Sequence, residues 1–222
     1  MDTNLVKKVM TLKSGKFIFS RKYSQEKLLG LLVEARVLYQ TVGDLPILPK
    51  LAAQLKEEVI RRSIFGTAAI EGNPLTEEEV GLIISEADQT KETDRARTEI
   101  RNLKTAYDIT NGLGWAEAAS ELDEEVIRKI HKTITLGIEH KYNVPGQYRN
   151  IRVEVGDRGH GGVYVPPKCL PDIEKLLKEF IVWINSGEVT ALEPPIRAAL
   201  AHYYLALIHP FGDGNGRTAR IV

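Results

Sequence analysis

The chain has 222 residues, 43% of them hydrophobic, enough to bury a substantial core in one globular domain with an appended N-terminal segment. Thirty Lys and Arg balance thirty Asp and Glu, so no global field holds a polyanion or a membrane surface, and nucleic acid is not the default partner. The single cysteine, Cys169, excludes an intrachain disulfide and a metal site built on several cysteines, and no stretch approaches the ~20 apolar residues of a membrane span.

The opening "MDTNLVKKVMTLKSGKFIF" has no unbroken apolar stretch of signal-peptide length, so the expectation is a soluble, cytoplasmic chain without a membrane partner. Beyond it, apolar residues recur every three or four positions, the period of a helix with one buried face. Leu28, Leu31, Leu32, Ala35 and Leu38 mark a first amphipathic helix, which gives way to the Pro-containing connector at 43–49. Leu51, Leu55 and Val59 mark a second, running toward "TAAIEGNP", where Gly72 and Pro74 punctuate its end. Thr76 and Glu79 have the spacing of a capping box and open a third.

Further helices are predicted over 92–110, stopped by Asn111 and Gly112, and over 123–136, with Asp123 near its start. Another covers 171–185 and places Ile173, Leu176, Leu177, Phe180 and Ile184 on one side. Residues 151–167, "IRVEVGDRGHGGVYVPP", differ: β-branched runs flank a Gly-rich turn, which predicts a hairpin ended by Pro166 and Pro167. Residues 196–208 predict a mostly buried helix ending at His209 and Pro210, with Tyr203 and Tyr204 as core aromatics. The fold class is therefore all-α, a helical bundle with one small β-hairpin and an N-terminal helical segment.

The stretch "HPFGDGNGRTAR", residues 209–220, carries the chemistry. A Gly-rich loop that follows a helix is neither a dinucleotide fingerprint nor a P-loop, both of which follow a strand. If a new helix starts near Gly214 to Gly216, its unpaired N–H groups and positive end point at the loop's concavity and form an anion site. The glycines let a phosphate approach, and Arg217 and Arg220, three apart, add two planar cationic forks. Asp213 supplies one hard oxygen of the kind that holds Mg²⁺ against substrate phosphates. Asn215 has donors for an oxyanion, and His209 stands at the other lip with a pKa suited to taking a proton near neutrality. Together these parts describe a nucleotide-transfer site; any one alone fits a capping turn with solvated arginines and a core histidine.

"HPFGDGNGRTAR" resembles the signature of Fic domains without a departure at any motif position. The resemblance extends through "VPGQYRN" (144–150) and "GVYVPPK" (162–168), which look like the family's segment before its flap and the flap itself, and so covers most of 75–222. It implies transfer of AMP from ATP, with Mg²⁺, to a Ser, Thr or Tyr hydroxyl of a target protein. His209 is then the general base, Asp213 the metal ligand, and Gly214, Asn215, Gly216, Arg217 and Arg220 the nucleotide cradle. The hairpin's Gly161, Gly162, Val163 and Tyr164 would cover the nucleotide while its edge pairs with an extended target peptide.

"TAAIEGN", residues 67–73, resembles the family's inhibitory motif, a Ser or Thr followed four residues later by Glu and then Gly or Asn; Thr67, Glu71 and Gly72 match it. The resemblance implies that Glu71 pairs with Arg220 and keeps the γ-phosphate from its productive place. The chain then divides into an N-terminal segment, 1–74, that carries the inhibitory motif and a catalytic core, 75–222, whose family pattern continues with further helix past Val222. Relatives with this N-terminal arrangement often add a DNA-binding winged helix, the one route to a nucleic-acid partner, and a homodimer is left open. Two alternatives stand: removal of AMP from modified proteins, and a nucleotide-sensing module with weak catalysis. His131, His140, His160 and His202 show no metal spacing, and Arg149 of "PGQYRN" is either structural or a phosphate contact.

Overall fold

A computed structural model of the chain describes residues 6–85, 94–112, 121–156, 158, 159 and 161–222. It opens with a hairpin, β1 (Val6–Met10) and β2 (Lys16–Ser20), in which Val6 lies opposite Ser20 and Met10 opposite Lys16. Helices α1 (Gln25–Asp44), α2 (Pro49–Ile70), α3 (Glu77–Ile84), α4 (Arg95–Gly112) and α5 (Glu124–Thr135) follow. After a long irregular segment come α6 (Leu170–Ile184), α7 (Gly187–Thr190), α8 (Pro194–Ile208) and α9 (Asn215–Ile221). Among the described residues no helix is long and apolar enough to cross a membrane.

The predicted starts have the expected chemistry. Thr76 and Glu79 form the reciprocal capping box of α3: the Glu79 N–H donates to Thr76 Oγ1 and the Thr76 N–H donates to Glu79 Oε2 at 2.8 Å. Asp123 caps α5 by accepting from the Val126 N–H at 2.7 Å. The predicted start of α4 at 92 lies outside the described residues, and its other end, expected at 110 ahead of Asn111 and Gly112, is at Gly112.

Two cores meet at α5 and α9. One gathers Phe19 of β2, Ile127, the apolar face of α6, Tyr204 and Ile208 of α8, Phe211 and Ala219. The other gathers Ile64 and Ala68 of α2, Val80 and Ile83 of α3, Ile100 and Leu103 of α4, Ile130 and Ile134 of α5, and Ile221. Helix α9 thus places Ala219 in one core and Ile221 in the other, which fixes the 209–214 loop ahead of it from both sides.

Three expectations are corrected. Helix α8 is buried along one side only instead of mostly buried: Tyr204 is in the core with its hydroxyl donating to Ser20 O at 3.1 Å, whereas Tyr203, one residue earlier and rotated about 100° around the axis, is 54% exposed. Residues 151–167 make no ladder among the described residues, only one bridge, in which Val155 and Tyr164 exchange N–H···O bonds of 2.9 and 2.8 Å. The carbonyls of Ile151 and Pro167, which a longer ladder would need, accept from the Arg149 guanidinium instead. Asp157 and His160 of that segment lie outside the described residues. Finally, the apolar stripe of α1 buries no residue.

The chain's ladder is instead the β1–β2 hairpin, which periodicity does not reveal because "VKKVM" breaks strict alternation. Its hold is tertiary: Phe19, fully buried, stacks on Trp183 at 5.5 Å and meets Tyr204 at 5.1 Å.

Candidate active site

Helix α8 ends at His209, whose backbone is left-handed (φ 49, ψ 58), the one non-glycine positive φ among the described residues. An L-residue does not adopt αL without being held there. His209 N donates to Leu205 O at 2.9 Å, and its carbonyl accepts from Arg149 Nε at 2.7 Å, so both sides of the turn are tied. The ring's Nδ1 lies 3.4 Å from Ala206 O; an oxygen that only accepts assigns the proton to Nδ1 and leaves Nε2 with a lone pair. Burial pushes the His209 pKa below its ordinary value, against the bond to Ala206 O, with the Arg149 charge adding to the drop and Asp213 opposing it. His209 is therefore neutral at pH 7, the form a base requires.

The loop after it is built by its own side chains. Asn215 closes it, Oδ1 accepting from Phe211 N and Nδ2 donating to Phe211 O, both at 2.9 Å. Its amide is thus engaged within the loop, where the sequence suggested a donor turned to an oxyanion. Phe211 lies flat on His131, ring centroids 3.6 Å apart and 2° from parallel. Fully buried His131 accepts at Nδ1 from Gly146 N, which places its proton on Nε2, donating to Asp213 O at 3.0 Å. Both ring nitrogens of His131 are thus engaged by backbone, and its part in shaping the loop carried no sequence signal.

The glycines are not equivalent. A Cβ on Gly212 would lie 2.1 Å from Tyr142 O, and one on left-handed Gly214 would lie 2.8 Å from Thr135 Cγ2, so these two serve packing against the protein rather than ligand approach. Gly216 differs: a Cβ there would meet Glu71 Oε1 at 2.8 Å and Arg220 Nη1 at 3.2 Å. Glu71, the residue that ends α2, thus lays its carboxylate against the first turn of α9 and pairs with Arg220 Nη2. Gly72, left-handed at φ 82, turns the chain away after it, and Thr67 is buried one turn earlier on α2.

Arg217 does not share Arg220's setting. It is buried, with Nη1 3.2 Å from Glu99 Oε1 and Nη2 3.1 Å from Asp213 Oδ2. Glu99 of α4 also accepts from Asn73 Nδ2 at 3.0 Å, so the residue after Gly72 is linked through one carboxylate to Arg217 of α9. Neither Glu99 nor Asn73 was legible beforehand, because the link joins positions far apart in the chain. Gly161 and Gly162, left-handed at φ 101 and 103, meet nothing a Cβ would touch, Val163 is exposed, and the Tyr164 hydroxyl donates to Leu207 O at 3.0 Å, two residues from His209.

Among the described residues no three His, Cys, Asp or Glu side chains group as a metal site. Asp213, part-exposed at the loop, still fits Mg²⁺, an ion commonly held by one or two carboxylates together with substrate phosphates.

Residues 121–222 match the Fic/DOC family. Two proteins named "Protein adenylyltransferase Fic" are similar to 75% of this chain: that of Nematostella vectensis is 33% identical over 171 residues, 37% of its own length, and that of Drosophila melanogaster is 33% identical over 170 residues, 32% of its length. The chain therefore spans about a third of these relatives. A Fic family protein from Desulfovibrio desulfuricans superposes with a TM-score of 0.67 at 27% identity, covering 90% of this chain and 56% of that one. Fic-1 of C. elegans does so with a TM-score of 0.69 at 25% identity, over 89% and 54%. Residues 121–222, whose loop holds its histidine in a left-handed turn, thus carry the Fic/DOC family match, on a fold shared with these structures.

Proposed function

We propose that the chain is a protein adenylyltransferase that moves AMP from ATP to a Ser, Thr or Tyr hydroxyl of a target protein, and that Glu71 restrains it. The observation that carries the proposal is a left-handed His209 at the head of a loop whose far arginine, Arg220, is held by a carboxylate from α2. In the reaction the target hydroxyl oxygen bonds to the α-phosphorus, the bond from that phosphorus to the oxygen bridging the β-phosphate breaks, pyrophosphate leaves, and the hydroxyl proton passes to His209 Nε2. The backbone of the α9 first turn and Arg220 stabilise charge developing on the phosphates. Mg²⁺, held by Asp213 and the phosphates, would neutralise part of that charge when bound.

Glu71 opposes this by occupying the place a phosphate needs beside Gly216 while neutralising Arg220. The division at residue 74 is then functional, a restraint and a catalytic core, since α2 packs into the second core along with α3, α4, α5 and α9. A reducing, cytoplasmic setting accords with the free Cys169.

The test uses ATP labelled in the adenine and Mg²⁺, with wild type, Glu71→Gly and His209→Ala. Glu71→Gly is expected to raise AMP incorporation tenfold or more if the restraint is worth over ~1.4 kcal/mol. His209→Ala is expected to abolish incorporation while retaining ATP affinity. A phosphoryl instead of an adenylyl adduct by mass, or loss of AMP from a modified target without any gain, overturns the assignment.

A further inference from the structure

The Arg149 side chain is a buried cation that the proposed chemistry does not use. The residue is 3% exposed, and among the described residues its guanidinium donates to three backbone carbonyls: Nε to His209 O at 2.7 Å, Nη1 to Ile151 O at 2.6 Å and Nη2 to Pro167 O at 2.8 Å. Its own N–H donates to Pro210 O at 2.9 Å. Each guanidinium nitrogen thus donates to backbone, three of the fork's five N–H groups in all, which supports the structural side of the question left by "PGQYRN".

What the three carbonyls have in common is position. His209 O belongs to the left-handed turn that aims the imidazole, and Ile151 and Pro167 are the two roots of the segment bridged at Val155 and Tyr164. That segment is pinned to the same helix end a second time, by the Tyr164 hydroxyl on Leu207 O. A guanidinium is a planar fork whose donors diverge at set angles, so three acceptors on one fork are held at set separations from each other. A lysine ammonium, a point charge on a flexible stem, cannot reproduce that arrangement.

Resting on the adenylyl-transfer reading, we infer that Arg149 is a positioning residue: it joins the His209 turn and both roots of the 151–167 segment into one rigid frame. The frame keeps a constant separation between the bridged segment, along which an extended target peptide would be registered, and the nitrogen that takes the hydroxyl proton. Placement of this kind acts on the rate of transfer and not on nucleotide binding, and a misplacement of about 1 Å costs on the order of a hundredfold.

The test compares Glu71→Gly with Glu71→Gly/Arg149→Gln and Glu71→Gly/Arg149→Lys. For each, ATP affinity is measured calorimetrically with Mg²⁺, auto-modification is followed at saturating ATP, and amide exchange is read at Val155 and Tyr164. The expected result is ATP affinity within about threefold of the parent, transfer slower by about a hundredfold in the glutamine variant with little rescue by lysine, and exchange at the two amides faster by about tenfold. A loss of ATP affinity that accounts for the loss of transfer overturns the inference, because Arg149 would then act as a nucleotide contact or only support the fold. Unchanged transfer and unchanged exchange overturn it as well. If the glutamine variant does not fold, the lysine variant is read by the same criteria. If the parent itself transfers no AMP, the adenylyl-transfer reading fails, and exchange alone decides: faster exchange at Val155 and Tyr164 supports the frame, unchanged exchange overturns it.

Discussion

At the scale of single residues, the site depends on environment more than on residue type. The five histidines are chemically alike, yet His131 is locked into one tautomer by Gly146 N and Asp213 O while His209 stands at a turn with Nε2 left as its basic nitrogen. Because burial lowers the His209 pKa, the neutral base persists below pH 6.5. The acid limb of kcat/KM for transfer is accordingly expected to have its midpoint below 6.5, with a plateau from pH 7 to 8, measured on Glu71→Gly. A midpoint above 6.5 would show that Asp213 outweighs burial and the Arg149 charge.

Among the elements, the β1–β2 hairpin shows how one side chain can dock a motif too small to stand alone. Asp172, buried in the first turn of α6, accepts from Leu12 N at 2.6 Å, Lys13 N at 3.0 Å, and Ser14 N and Oγ at 2.8 and 2.5 Å. Ser14 Oγ in turn accepts from Lys168 N at 2.8 Å, next to the Pro167 root. Burial pushes the Asp172 pKa up, but the bonds from Ser14, Lys13 and Leu12 outweigh it and pull it to about 2. With the folded pKa below the unfolded one, this clasp is at full strength above pH ~4 and is lost as pH falls toward 2. Asp172→Ala removes the acceptor shared by four donors of a part-buried turn, and a loss of about 2 kcal/mol by urea denaturation at pH 7 is expected; a loss under about 0.5 kcal/mol would mean that water replaces the carboxylate.

For the whole molecule, the junction of the two cores carries a pH dependence. Burial of His131 between α5 and the loop lowers its pKa to about 4, against the bond to Asp213 O. Between the folded value and the unfolded ~6.5, the unfolded chain binds the extra proton, so stability falls as pH drops through that window. From pH 7 to pH 5 this one group removes about 2 kcal/mol. Denaturant unfolding of wild type and His131→Gln at both pH values checks it: the variant is expected to lose less on acidification by roughly that amount, and equal losses would place the titration elsewhere.

The sequence alone determined the elements whose signals are local. Thr76 with Glu79, Asp123 with Val126, the 3.6-residue stripe of α6 and the unbroken motif of 209–220 depend on neighbours within one or two turns, so their physics is written in consecutive residues. The tertiary structure decided the partnerships across long separations. Glu99 on Arg217, Asp172 under the Thr11–Gly15 turn, His131 beneath Phe211 and the three carbonyls on Arg149 each join segments whose proximity exists only after the two cores have packed. It also separated residues that spacing alone had equated, turning Arg217 inward and Arg220 toward Glu71, and Tyr204 inward while Tyr203 faces outward. A helical period states which residues share a face, but which face meets a core, and which charge meets which, is set by the packing of the other elements around it.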